Sequence, residues 1–264
     1  MKNKTLIAFV VGFLVNLCVL SLFAQEEQEK SLLFSVREVE AKPSMNGKYE
    51  EAVKGLVAKL KEHEVTSVSF LCAASDNFRY SYVVARENMA ALDDVFFKEL
   101  QDKMGNEQMT AMWEHFDGTT ESTRDFMLRL RPDLSYKPEV DNIGSEETPF
   151  RHFDYLYFQS GKGEEAMEIL KEWTALCQLK NVPMAYRTYI GGLGTEVPSV
   201  ILVKWARDEI EYYTKRQKTR ELMGEEGNAL WQKTLAIMKR FEHNNGRMRL
   251  DLSYVPAEQI AVKE

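Results

Sequence analysis

The sequence predicts an α+β protein built from two tandem ferredoxin-like repeats, each with the element order β-α-β-β-α-β. Residues 133–138 (DLSYKP) return almost unchanged as residues 251–256 (DLSYVP), and both copies follow a predicted final strand. The strand and helix patterns also succeed one another in the same order in the two halves of the chain. An internal repeat of this length indicates a duplicated domain.

In the first repeat, residues 32–138, strands are predicted where apolar and polar residues alternate or where β-branched and aromatic residues cluster. These strands cover residues 32–40, 65–72, 78–85 and 124–134. One helix begins at Gly47, where apolar residues recur at helical spacing. A longer helix follows Leu92, and Gly105 is expected to bend or break it.

The second repeat, residues 149–258, shows the same succession of patterns. Its strands are predicted at residues 153–158, 182–190, 197–205 and 246–252, and its helices at 164–180 and 207–242. The sequence GGLG at 191–194 is interpreted as a flexible hairpin turn, since no helix follows it to form a phosphate site. The polar, acidic residues 139–148 form the predicted linker.

The N-terminus has the pattern of an export signal. Lys2 and Lys4 precede a nearly unbroken apolar run that ends at Ala24. The expected organisation is a signal peptide at 1–24, a polar leader at 25–31 and a tail at 259–264, with the folded part periplasmic or secreted. The alternative is an uncleaved anchor, which is the only form in which contact with a membrane is expected.

Composition excludes some partners. The chain has 34 Lys and Arg against 41 Asp and Glu, a net charge of -7, and it contains no basic block. Phosphate backbones repel such a chain, so no nucleic-acid partner is expected. Cys72 and Cys177 fall in dissimilar patterns and are predicted to be unbridged. No metal site and no cofactor are predicted, and a fused pair of repeats is expected to be a monomer.

Four arginines are candidate ligand-binding residues. Strand alternation places Arg129 and Arg131 on one face with Asp133, and the second repeat supplies the equivalent Arg247 and Arg249. Guanidinium groups converging on one cavity would bind a small carboxylate, phosphate or sulfate. The alternative is an internal ion-pair network with the neighbouring aspartates as counter-charges.

Tyrosines form the second candidate group. Tyr155 and Tyr157 share a strand face, and Tyr186 precedes Arg187 on a neighbouring strand. Tyrosines with hydroxyl tips are typical of small-molecule pockets, although ordinary sheet core is the alternative. No catalytic residue is identified.

Two ferredoxin-like repeats with a long second helix resemble the dimeric α/β-barrel superfamily. The resemblance rests on element order and duplication, and it covers nearly all of the chain after the predicted signal. It implies an intrachain barrel with the helices outside. Members of that superfamily include cofactor-free monooxygenases, haem-degrading enzymes and chlorite-dismutase-like proteins. No catalytic motif of a member matches this sequence, so no functional residue carries over.

Three functions are therefore weighed. The first is an exported, non-catalytic cell-envelope protein that binds a small anionic or aromatic ligand in the barrel between the repeats. The second is a cofactor-free monooxygenase or a haem-handling enzyme. The third is a structural protein that recruits a partner through its long helices.

Overall fold

The computed structural model describes residues 33–138 and 147–257. Eight strands form one closed antiparallel barrel in the order β1-β3-β2-β8-β5-β7-β6-β4. The strands are β1 (Leu33–Ala41), β2 (Leu71–Ser75), β3 (Arg79–Arg86), β4 (Thr120–Leu130), β5 (Phe150–Phe158), β6 (Tyr186–Gly191), β7 (Ser199–Ala206) and β8 (Met238–Met248). The helices are α1 (Asn46–Glu62), α2 (Lys98–Met104), α3 (Asn106–Glu114), α4 (Gly163–Lys180) and α5 (Glu209–Ile237).

The predicted fold class is wrong. In place of two tandem ferredoxin-like repeats, the structure has a single closed barrel with five helices among its described residues. The reason lies in two ladders that join strands from the two halves of the chain. Strand β2 pairs with β8, and β4 pairs with β6. The sheet is therefore continuous around the molecule and leaves no open edge.

Closure of the barrel requires glycine at two places. A Cβ atom on Gly246 of β8 would lie 2.4 Å from the carbonyl oxygen of Ala74 on β2. A Cβ atom on Gly194 would lie 2.4 Å from the carbonyl oxygen of Asp125 on β4, and Gly194 also has a φ of +81°. The GGLG sequence lies where β6 turns back to the antiparallel strand β7, as the predicted hairpin requires, and its glycines also allow close backbone contact with β4.

The helices pack outside the barrel wall and bury one side of several strands. Helix α1 turns a stripe that includes Tyr49, Val53 and Leu60 toward β1, β2 and β3, as its apolar spacing predicts. Helices α4 and α5 cover β5 and β7 in the second half, where Leu156 and Phe158 are buried. Residues with the opposite orientation on the same strands meet one another inside the barrel, in a cluster of Val36, Phe126, Leu128 and Ile201.

Glycines interrupt the long helices of both halves. Gly105 separates α2 from α3 with a φ of +84° and a ψ of 161°, as the sequence predicts. Gly224 kinks α5 with a φ of +52° and a ψ of −135°. Both conformations are accessible to glycine at little cost and strain other residues. Each kink allows one helical segment to turn over the wall beneath it.

Several predictions fall outside the described residues: the signal peptide, the polar leader, most of the linker and the tail. Among the residues that are described, no helix is long and apolar enough to cross a bilayer. Cys72 and Cys177 are buried and free, as predicted.

Candidate active site

Two cavities lie between the barrel wall and the helices. The α1–α3 cavity, of about 610 Å³, is enclosed by β1, β3, β4, α1 and α3. The α4–α5 cavity, of about 540 Å³, is enclosed by β5, β7, α4 and α5. Inside the barrel a space of about 100 Å³ remains. Small-molecule pockets commonly occupy roughly 300–1,000 Å³, so the two outer cavities are large enough for a ligand and the barrel interior is not.

The four predicted arginines do not surround one cavity. Strands β4 and β8 end at Leu130 and Met248, and a 3₁₀ turn follows each. The strand alternation assumed for the sequence therefore stops before the second arginine of each pair. Arg129 and Arg247 are exposed on the last residues of their strands.

Arg131 and Arg249 are each engaged by a nearby carboxylate. Arg131 donates to Asp133 over 2.8 Å and 2.6 Å. Arg249 donates to Asp251 over 2.8 Å and 2.7 Å and also forms two hydrogen bonds with Glu50. These contacts hold the pKa of both aspartates below the usual value, chiefly through the arginine hydrogen bonds. For Arg131 and Arg249, the structure therefore contains the ion pairs with neighbouring aspartates that the sequence analysis gave as the alternative.

The predicted tyrosines lie on opposite sides of the barrel wall. Tyr155 and Tyr157 line the small interior space, where the guanidinium of Arg240 lies 3.9 Å from the ring centroid of Tyr157. Tyr186 faces outward into the α4–α5 cavity. Arg187 points to the other side and lies over the ring of Trp205. Of the eight predicted residues, Tyr186 is the one that lines either of the large cavities.

A buried charge network forms the polar end of the α4–α5 cavity. His152 and Asp154 share the outward face of β5, and Lys204 projects from the paired strand β7. His152 Nε2 lies 3.0 Å from Asp154 Oδ1, and Lys204 pairs with the other carboxylate oxygen. Burial alone would raise the pKa of Asp154, but the positive charge of Lys204 and the hydrogen bond from His152 hold it well below the usual range.

Hydrogen-bond partners lie at both ring nitrogens of His152. Its Nδ1 lies 2.7 Å from Asn245 Oδ1. The orientation of Asn245 is fixed because its Nδ2 donates to Glu209 Oε1 over 3.2 Å. Ionised Asp154 can only accept. Oxygen atoms of Asn245 and Asp154 therefore hold both ring nitrogens of His152 and fix the orientation of the ring. The ion pair of this network joins Lys204 and Asp154.

Tyr212 completes this end of the cavity. Its ring stacks on that of His152 with centroids 4.6 Å apart and an interplanar angle of 25°. This stacking fixes the plane of the imidazole against the aromatic wall. The Tyr212 hydroxyl is buried and has no hydrogen-bond partner among the described residues. Buried polar atoms are rarely left unpaired, so this hydroxyl is a candidate ligand contact.

The remaining walls are aromatic and the mouth is basic. The side walls include the rings of Trp173, Tyr186, Trp231 and Phe241. Arg216 and Arg220 lie on α5 at the exposed side, and neither forms an ion pair with a described residue. Three basic side chains besides His152 thus line this cavity against one acidic side chain, Asp154. The arrangement is suited to a small, flat anion.

The sequence analysis missed His152, Asp154 and Lys204. The available signal was the spacing of His152 and Asp154, since residues two apart on a strand share a face. Lys204 could not be placed beside them without the register of β5 and β7, which only the folded barrel defines.

The donor set of the cavity does not fit haem, the cofactor of some superfamily members. Among the described residues, His152 is the one histidine that lines either large cavity, and both its nitrogens are occupied. Burial raises the pKa of the Cys177 thiol to about 11 and also raises the pKa of the Tyr212 hydroxyl, so neither group readily becomes an anionic iron ligand. Within residues 33–138 and 147–257, no cluster of three or more His, Cys, Asp or Glu is placed to bind a metal ion.

Comparison with known proteins supports the fold and not a specific family. Neither a scan of protein-family models nor a sequence search of curated proteins finds a match. Among solved structures, an anthrone oxidase-like protein matches with a TM-score of 0.58 and 15% identity, over 84% of this chain and 92% of the other. A candidate monooxygenase from Fusobacterium nucleatum matches with a TM-score of 0.50 and 11% identity, over 83% and 92%.

A chlorite dismutase from Candidatus Nitrospira defluvii covers 89% of this chain and 95% of its own length, with 12% identity and a TM-score of 0.46. At these identities a structural match establishes architecture alone. The chain therefore shares the architecture of the anthrone oxidase-like protein, and its chemistry must be argued from its own residues.

Proposed function

We propose that this chain is an oxidase of the monooxygenase kind that binds a small aromatic anion in the α4–α5 cavity. The observation that carries the proposal is the charge of an aromatic cavity whose lining holds Lys204, Arg216 and Arg220 against the carboxylate of Asp154. The fold shared with an anthrone oxidase-like protein and a candidate monooxygenase supports the reaction class and does not identify the substrate.

The electrostatics of the network favour an anion derived from a weak acid. Lys204, Arg216 and Arg220 offer more positive charge than Asp154 neutralises, and little water reaches Lys204, since its side chain is 20% exposed. A phenol or enol that binds there is stabilised as its phenolate or enolate, because nearby cations lower the pKa of an acid. The proton passes to solvent water.

Such an anion is rich enough in electrons to react directly with dioxygen. For a methylene group that is flanked by two aromatic rings and conjugated through them with a ketone, loss of a proton gives an enolate that transfers electrons to dioxygen. In the balanced change, the methylene group and dioxygen give a ketone carbonyl and water: the carbon is oxidised, both of its hydrogens leave, and the second oxygen atom is reduced to water. In this reaction Lys204 stabilises the anion, and the Tyr212 hydroxyl can donate to its oxygen.

Anthrone is a suitable test substrate because it has this methylene group and forms an enolate. The assay follows oxygen consumption and anthraquinone formation by the purified protein at pH 7. Lys204→Met is expected to lower kcat/KM by roughly tenfold to a hundredfold, since a unit charge about 5 Å from the substrate oxygen contributes about 1.4–3 kcal/mol at an intermediate dielectric. The matched control is Lys171→Met, which removes an exposed lysine of α4 paired with Glu168.

The outcomes separate catalysis from binding. Turnover that falls with Lys204→Met and not with Lys171→Met supports the oxidase. A second outcome is that an aromatic anion such as 2-naphthoate binds in a way that depends on Lys204, but no oxygen is consumed with anthrone or with related phenols and quinols. That outcome would support the first function predicted from sequence, a ligand-binding protein. If substitution of Lys204 changes neither turnover nor binding, the site lies elsewhere and the proposal is overturned.

Export remains a separate part of the proposal, carried by sequence alone. Lys2, Lys4 and the apolar run that ends at Ala24 predict cleavage after Ala24. Expression of the full chain in a bacterial host and intact-mass measurement of the recovered protein test it. A product that begins at Gln25 supports export, and a full-length membrane-bound product supports the uncleaved anchor.

A further inference from the structure

We propose that the α1–α3 cavity is a second small-molecule site, which takes a neutral planar aromatic molecule. The proposal stands apart from the oxidase site, because the two cavities lie on different halves of the barrel wall and share no lining residue. Its volume of about 610 Å³ is within the range of ligand pockets.

The walls of this cavity are matched to a flat ring system. Its aromatic lining consists of Tyr49, Phe70, Tyr82, Phe96, Trp113 and Phe116. Phe70 meets Tyr82 edge to face with centroids 5.9 Å apart, and Trp113 lies 5.5 Å from Phe116. Trp113 is 37% exposed although it lines a cavity, so a bound ring would cover it. Such edges and faces favour aromatic over aliphatic ligands.

Charge distinguishes this cavity from the α4–α5 cavity. Its two basic residues are matched by two acidic ones. Arg37 forms a bidentate pair with Asp125 over 2.8 Å and 2.9 Å, and Asp94 lies near Arg86. No uncompensated cation therefore faces the cavity from the described residues that line it. An anion would gain little there and would lose its hydration, so a neutral ligand is favoured.

The polar group inside the cavity is a pair of neutral hydroxyls. The Tyr49 and Tyr82 oxygens lie 2.8 Å apart and both residues line the cavity. Burial raises the pKa of both, so they stay protonated at neutral pH. Hydroxyls of this kind pair with a carbonyl, amide or hydroxyl group without adding charge.

A loop from the other half of the chain forms part of the rim. Gly192 and Leu193 join the edge of β4 through hydrogen bonds with Met127 of 3.0 Å and 2.8 Å. This contact places the Leu193 side chain at the cavity, where it is 70% exposed. A large apolar side chain held by a fixed backbone at a cavity mouth is a surface that a bound molecule would cover.

The test uses two ligands of the same shape and different charge. 2-Naphthamide is neutral and 2-naphthoate is an anion at pH 7. Calorimetric titration of the full chain with each gives stoichiometry and affinity. Trp113 and Trp231 provide matched variants, because each lines one of the two cavities. Trp113→Ala is expected to weaken 2-naphthamide at least about tenfold and to leave 2-naphthoate unchanged, and Trp231→Ala should do the reverse.

Leu193→Asp provides a second variant, since an exposed rim residue can be replaced without unfolding the protein, as circular dichroism would verify. It should weaken 2-naphthamide and spare 2-naphthoate. The proposal is overturned if 2-naphthamide does not bind, if the two ligands compete for one site, or if Trp113→Ala and Leu193→Asp leave 2-naphthamide affinity unchanged. Failure of anthrone oxidation with two independent binding sites intact would refute the oxidase alone.

Discussion

Removal of the charge on Asp154 is the sharpest test of the buried network. Asp154→Asn keeps the size of the side chain, leaves Lys204 without its counter-charge and removes the carboxylate beside His152 Nε2. The three side chains are 8%, 20% and 4% exposed. Loss of one partner of a buried ion pair costs about 3–5 kcal/mol, and the partial exposure of Lys204 places the expected loss near the lower end, at about 3 kcal/mol.

Urea unfolding followed by circular dichroism measures this loss at pH 7, and a drop in Tm of roughly 6–12 °C should accompany it. The matched control is Asp102→Asn, in an exposed pair with Lys98 whose side chains are 61% and 66% exposed. That variant should lose less than about 1 kcal/mol. In the double variant Asp154→Asn/Lys204→Met, removal of the unpaired Lys204 charge should restore part of the stability.

The pH dependence of the free energy of unfolding gives an independent check that ionised Asp154 stabilises the fold. The folded-state pKa of Asp154 is depressed, so its contribution to stability is complete above its unfolded pKa of roughly 3.9 and is lost as the pH falls through the lower folded value. The difference between wild type and Asp154→Asn should thus be largest at neutral pH and narrow below about pH 4. A difference at pH 7 no larger than that of Asp102→Asn would refute the reasoning.

Three further outcomes are expected. Gly224→Ala should destabilise the chain by about 1–3 kcal/mol in urea unfolding, because φ is +52° there, whereas Gly47→Ala, in an unstrained and open helix position, should not reduce stability. Tyr212→Phe should leave stability unchanged or raise it by about 1 kcal/mol, since it removes an unpartnered buried hydroxyl; a clear loss would show that this hydroxyl is hydrogen-bonded. Cys72 and Cys177, whose pKa values burial raises to about 12 and about 11, should react with a disulfide reagent at pH 8 only after unfolding.

Local patterns in the sequence predicted most elements, and the errors have a physical cause. The helix boundaries of α1 and α4 and the break at Gly105 follow from apolar spacing and glycine. The sequence analysis predicts the last strand at 246–252 and the preceding helix up to 242, whereas β8 begins at Met238. The cause is that residues 239–243 are all exposed, so β8 has no alternation of buried and exposed residues there to distinguish it from the end of a polar helix.

Long-range pairing could not be predicted from local patterns. Nothing in the composition of β2 or β8 indicates that Ala74 pairs with Arg247, or that Leu128 of β4 pairs with Gly191 of β6. These ladders make one barrel out of strands that the sequence assigned to two repeats. They also determine which strand faces meet the helices. For this reason Tyr155 and Tyr186, which the sequence analysis predicted as one group, lie on opposite sides of the wall.

The contrast between the two large cavities arises from a few wall positions. On the wall of the α4–α5 cavity, His152 is paired across the ladder with Lys204. On the wall of the α1–α3 cavity, the corresponding ladder of β1 and β3 pairs Ser35 with Val84. A hydroxyl and an isopropyl group carry no charge, so that cavity depends on tyrosine hydroxyls for polarity. The wall thus contributes a lysine to one cavity and no charge at the corresponding ladder pair of the other, and this difference, together with Arg216 and Arg220 on α5, distinguishes the ligands that the two cavities favour.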